Sequence, residues 1–192
     1  MNFDQIIERR GTDSIKWNYY DEDVLPMWIA DMDFRSPEPV INALHERVEH
    51  GIFGYGCPPE GLMDAVIGHL RDRQNWHVTE EQISFISGVV TGFNHAIYSL
   101  TQPGDKVLIQ TPVYPPFRMA PGLAGRERVE NELVRGEDGC YEIDFDDFES
   151  KCASGVKLFI LCSPHNPVGN QLTHDCRHSL KEISFQYDRN IW

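Results

Sequence analysis

Apolar residues change their spacing along this chain, and that change divides it into segments. Residues 1–35 show no sustained period and read as an irregular arm around the apolar patch Val24-Leu25-Pro26-Met27-Trp28-Ile29-Ala30. Ser36 then reads as an N-cap with Pro37 at the first helical position. Val40, Ile41, Leu44 and Val48 follow at helical spacing until Gly51 stops the helix. A second helix is predicted from Pro59 to Arg73, burying Leu62, Val66, Ile67 and Leu70. From there short apolar runs alternate with helical patterns. Strands are predicted at Ile83–Ile86, Lys106–Gln110, Arg128–Val134 and Val156–Leu161. Helices are predicted after the turn Ser87–Gly92 through Leu100, within Tyr114–Leu123, at Asp144–Lys151 and at Thr173–Tyr187. Asn190-Ile191-Trp192 reads as the opening of a further strand. This alternation predicts an α/β fold with a mostly parallel sheet and helices on both faces. Because the pattern breaks off as a strand begins, the chain reads as truncated within that architecture.

Composition narrows the partners. Thirty acidic side chains against 17 basic ones leave a formal charge of −13, which argues against nucleic acid or an anionic membrane surface. The opening Met1–Arg10 is too polar for a signal peptide, and no run reaches the length of a membrane span. Five cysteines (Cys57, Cys140, Cys152, Cys162 and Cys176) form no CxxC pair, so reduced thiols in a cytoplasmic protein are expected.

Three loops follow predicted strands and carry candidate chemistry. Ser87-Gly88-Val89-Val90-Thr91-Gly92 offers free amides at a helix start, which favour phosphate but also simply connect elements. Thr111-Pro112-Val113-Tyr114-Pro115-Pro116-Phe117 holds a tyrosine in a proline-stiffened loop, fit either for stacking on a flat ring or for core packing. Ser163-Pro164-His165-Asn166-Pro167-Val168-Gly169 presents an asparagine that is either a ligand amide or a turn former. Together they could face one crevice at the carboxyl ends of the strands, offering phosphate, ring-face and ring-hydroxyl contacts. His174 and His178 share a helix face at a spacing that admits zinc, but no third ligand is visible and a solvated face is expected. Lys151 is expected to end an exposed acidic helix.

These loops occur in order with Leu25-Pro26-Met27-Trp28-Ile29-Ala30-Asp31-Met32-Asp33-Phe34 and Phe53-Gly54-Tyr55. Taken together the chain resembles the N-terminal half of the MalY/PatB-type C–S lyases (cystathionine β-lyases). These lie within the class I/II aminotransferase-like, fold-type I enzymes that use pyridoxal 5′-phosphate (PLP). The resemblance implies residues 1–35 as an N-terminal arm and residues 36–192 as a partial PLP-binding large domain. It implies that Val89 and Val90 hold the cofactor phosphate through backbone amides, that Tyr114 stacks on the pyridine ring, and that Asn166 bonds the ring hydroxyl. Tyr55 would reach the cofactor of a neighbouring subunit in a homodimer, and Ala30-Asp31 would line the substrate pocket. The family's aspartate to the pyridine nitrogen, its cofactor-anchoring lysine and its carboxylate-binding arginine would all lie beyond Trp192. No catalytic residue is therefore assigned among Lys16, Lys106, Lys151, Lys157 and Lys181. The implied reaction is cleavage of cystathionine or another L-cysteine S-conjugate to a thiol, pyruvate and ammonia, with this chain alone inactive. An ordinary class I/II aminotransferase, a non-catalytic fragment and a regulatory binding protein are the alternatives.

Overall fold

The structure, a computed structural model, describes residues 2–192. The chain divides into two compact units, one ending at His77 and the other spanning Val78–Trp192. The first holds α1 (Ile15–Asn18), α2 (Glu38–His50) and α3 (Leu62–Gln74). The second holds, in order, α4 (Val89–Leu100), β1 (Lys106–Thr111), α5 (Pro115–Leu123), β2 (Glu127–Glu132), β3 (Val134–Arg135), β4 (Tyr141–Glu142), α6 (Phe145–Ala153), β5 (Val156–Ile160), α7 (His174–Gln186) and β6 (Asn190–Ile191).

In the first unit the arm is organised by charge rather than by regular structure. Asp33 accepts from the Lys16 ammonium (2.8 Å), from Arg9 (2.6 Å) and from the Trp17 indole (2.8 Å). Arg9 also reaches Asp31 at 2.7 Å. Lys16 first, then Trp17 and Arg9, hold the Asp33 carboxyl well below the usual carboxylate range. Ser14 caps α1 by accepting from the Trp17 amide. The expected Ser36 cap is corrected. Pro37 holds the cap position in extended backbone, and its carbonyl takes the amides of Val40 and Ile41. The predicted stripe of α2 is largely exposed at Val40, Leu44 and Val48, and α3 leaves Leu62, Val66, Ile67 and Leu70 only partly covered. Their helical spacing holds, but among the described residues this unit has no sheet against which they could be fully buried.

The second unit is built on a four-stranded, all-parallel sheet in the order β2-β1-β5-β6. Its central strands β1 and β5 are apolar on both sides, as parallel strands covered by helices must be. Val107, Ile109, Leu158 and Ile160 pack with Phe93 and Ile97 of α4 and Phe117 and Ala120 of α5. Leu108 and Phe159 pack on the opposite face with Phe148 and Cys152 of α6 and Leu180 of α7. An irregularity sets Lys106 beside Val156 but Val107 beside Leu158. The additional residue in β5, Lys157, lets Val156 share a face with Phe159. Edge strand β2 buries Asn131, and the side chain is fully used: it accepts from Gln110 and donates to Asp147 and the Asp144 carbonyl.

Two further expectations change. Ile83–Ile86 is not a strand. A single 3-10 turn, Glu80–Gln82, precedes it, and Ile83 has extended backbone but no ladder partner among the described residues. The strand expected to run to Val134 stops at Glu132, because Val134–Arg135 pairs antiparallel with Tyr141–Glu142 in a separate hairpin. The turn between them, Gly136 to Gly139, is closed by backbone bonds and holds Asp138 against the Cys140 amide.

Phe148 is wholly buried and meets the Phe159 ring edge-on at 4.9 Å. Phe148→Ala is expected to lower unfolding stability by about 3–5 kcal/mol, read as a shifted urea midpoint. Burial also pushes the Cys152 thiol up to about 11. Ellman's reagent at pH 8 is expected to leave Cys152 unlabelled in the native chain and to reach it only after denaturation.

Candidate functional site

The carboxyl ends of β1, β5 and β6 open into one cavity of about 310 Å³. It is lined by Val89, Val90, Phe93, Tyr114, Phe117, Asn166 and Trp192, with Leu161–Pro164 between them. Four of the five residues singled out from the sequence thus meet around one space. Its volume lies at the small end of the range for cofactor and ligand pockets, roughly 300–1,000 Å³.

Each wall has a local cause. Gly88 takes φ +100°, a conformation that strains any residue with a Cβ, and from it α4 starts directly. The amides of Val89, Val90 and Thr91 occupy the first helical turn, where no intrahelical carbonyl can serve them. Val89 and Val90 line the cavity there, at the positive end of the helix dipole. Four residues on, Phe93 lies on the same helix face and packs against Phe117 with ring centroids 4.7 Å apart. Gly92 permits a close approach on this helix, since a Cβ there would sit 2.4 Å from Ile86 and 3.1 Å from the Trp192 ring.

Tyr114 caps α5, with its side chain partly exposed where it lines the cavity. Its backbone amide donates to the Asn166 carbonyl at 2.9 Å, so the two loops are joined at the two residues of interest. The Asn166 side-chain amide has no hydrogen-bond partner among the described residues and keeps both donor and acceptor free. Its backbone amide points instead to the Cys162 sulfur at 3.5 Å. His165 is buried and turns away to meet the Pro112 carbonyl at 2.9 Å. Burial lowers its pKa, opposed by that hydrogen bond, so the neutral ring is favoured with Nε2–H donating.

Tyr55 belongs to the first unit, where its side chain is fully exposed. Ala30-Asp31 also lies there, with Asp31 engaged by Arg9. No lysine lines the cavity. Lys106 reaches the Ser154 carbonyl at the opposite end of β1, and Lys151 pairs with Asp147 at 2.6 Å within α6. His174 and His178 are exposed on α7 beside Asp175 and Glu182, and no group of three metal-ligating side chains occurs among the described residues. Sequence reasoning missed Phe93, Cys162, Trp192 and the tie made by His165. Phe93 was signalled by its helical spacing from Val89. Trp192 enters the wall only through the β5–β6 pairing.

No described helix is long and apolar enough to cross a membrane. The aminotransferase class I and II family profile matches residues 22–192. The chain is 46% identical to the cystathionine β-lyase PatB of Bacillus subtilis over 97% of its own length and 50% of that protein. Its structure resembles cystalysin from Treponema denticola, which contains a PLP cofactor, with a TM-score of 0.91 and 33% identity over all of this chain and 50% of that one. It likewise resembles the PLP-bound C–S lyase of Staphylococcus hominis, with a TM-score of 0.89 and 34% identity over 100% and 50% of the two chains. The chain therefore spans about half the length of the relatives it matches. With the parallel α/β sheet and the loops gathered at its carboxyl edge, these likenesses establish that the chain belongs to the class I and II aminotransferase family, among MalY- and PatB-like relatives.

Proposed function

We propose that this chain forms the phosphate- and ring-binding half of a PLP site from a C–S β-lyase. The observation that carries the reading is the convergence of Val89, Val90, Tyr114 and Asn166 on one cavity. The residues fit the group. The unserved amides of Val89 and Val90 would take the phosphate, helped by the helix dipole. Tyr114 would cover one face of the ring, while Phe93 and Phe117 keep the inner wall dry. The free Asn166 amide would donate to the ring hydroxyl, fixing the ring's rotation about its own axis.

When bound, PLP supplies an electron sink for charge that develops at the α-carbon of an amino acid substrate. The complete protein would use it to break the Cβ–S bond of cystathionine or a related L-cysteine S-conjugate, giving a thiol, pyruvate and ammonia. Tyr55 would serve the cofactor of a second subunit, which makes the complete enzyme a homodimer. Proton removal at the α-carbon needs a basic group beside the cofactor, and the cavity offers no lysine. We therefore assign the isolated chain binding without turnover.

Titration of the chain with PLP is expected to quench tryptophan emission saturably, since Trp192 lines the cavity. Asn166→Ala and Tyr114→Ala should each weaken binding about 3–10-fold, the loss of one hydrogen bond or one ring contact. Equal binding by both variants and the parent would remove the reading. With cystathionine and PLP, the chain is expected to release no more pyruvate than PLP alone, and borohydride should fix no cofactor to a residue that lines the cavity. Pyruvate release that is lost in Asn166→Ala would overturn the assignment of binding without turnover.

A further inference from the structure

The two loops that carry Tyr114 and Asn166 are far apart in sequence, and each is held by bonds of its own. The asparagine turn closes on itself: the His165 amide donates to the Asn170 carbonyl and the Gly169 amide to the His165 carbonyl, both at 2.7 Å. The tyrosine loop is anchored below by the end of β1 and above by the start of α5. Among the described residues, two hydrogen bonds cross between the loops. One is Tyr114 N–H to the Asn166 carbonyl at 2.9 Å. The other runs from the imidazole of His165 to the Pro112 carbonyl, also at 2.9 Å and spanning 53 positions of sequence.

We propose that His165 is a positioning residue, whose Nε2–H to the Pro112 carbonyl holds the Tyr114 loop in register with the Asn166 turn. A carbonyl can only accept, so the bonded nitrogen must carry the proton. His165 is 5% exposed and the bond is partly buried, which limits competition from water at the imidazole end and ties the two loops together. It enters the tyrosine loop two residues before Tyr114, and the other crossing bond falls at Tyr114 itself. The pair therefore acts as a two-point clamp that sets the ring of Tyr114 against the amide of Asn166. His165 itself does not line the cavity; its effect on a ligand is transmitted through these two residues. The importance of the clamp for PLP rests on the function proposed above, whereas the clamp itself does not.

The reach of the donor separates this role from simple packing. The amide nitrogen of glutamine lies at about the position of histidine Nε2, whereas that of asparagine corresponds to Nδ1 and falls short. His165→Gln, His165→Asn and His165→Leu would be compared in the full chain. Two readouts apply: hydrogen exchange of the Tyr114 amide by NMR, with Ile109 in β1 as internal reference, and affinity for added PLP. Asn and Leu are expected to accelerate Tyr114 exchange about 5–10-fold, the loss of one buried hydrogen bond, with Ile109 unchanged. They should weaken PLP binding by a similar factor, and Gln should restore both. Equal Tyr114 exchange in all variants, or rescue by Leu as good as by Gln, would overturn the proposal. Altered exchange with unchanged PLP affinity would overturn its role in placing the cofactor residues. If exchange follows the expected order but the parent chain takes up no PLP, the clamp stands and the cofactor reading falls.

Discussion

Everything at the candidate site depends on the two-sided burial of β1. Val107, Leu108 and Ile109 are without solvent exposure, and the strand pairs in parallel with β2 on one side and β5 on the other. A strand so enclosed must satisfy its backbone through its neighbours and its side chains through helices on both faces. That places α4 and α5 on one face and α6 and α7 on the other. It also gives β1 and β5 ends that emerge side by side. The loops that follow them are consequently adjacent, and the crossing bonds from Tyr114 and His165 become possible.

The cavity divides its tasks according to physical type. One wall is the start of α4 at Val89 and Val90, whose amides have no helical carbonyl to serve them. Another is aromatic and apolar, supplied by Phe93, Phe117 and Trp192. A third is a single free amide side chain, on a residue whose backbone N–H and carbonyl are both bonded. The ligand we propose, with an anionic group, a flat ring and one polar substituent, would match all three. The first unit follows a different principle. Its arm is tied by Arg9, and by Lys16 of α1, to Asp31 and Asp33 through charge-assisted bonds.

Much of the second unit was legible from spacing alone. The apolar runs at Lys106–Gln110 and Val156–Leu161 became the central strands β1 and β5, and the acidic stretch from Asp144 became α6 with Asp144 as its cap. Ile83–Ile86 was misread because an apolar run signals burial and extension, whereas a strand also needs a neighbour. The hairpin of β3 and β4 escaped notice since each strand is two residues long and mostly polar. Pro37 displaced Ser36 as the cap because its carbonyl takes the amides of Val40 and Ile41 and so starts the helical bonding.

The candidate site shows the same boundary between local and distant causes. Sequence alone determined the types and order of the candidate loops: a glycine before a helix, a tyrosine between prolines, an asparagine after an apolar run. These are local, since backbone conformation and the ends of elements depend on residues only a few positions apart. Tertiary structure decided that the three loops share a cavity, that Trp192 forms part of its wall and that His165 joins two of them. Those contacts depend on which strands pair and in what register. Such pairing is settled by the packing of whole helices against both faces of the sheet, across separations that no local pattern records.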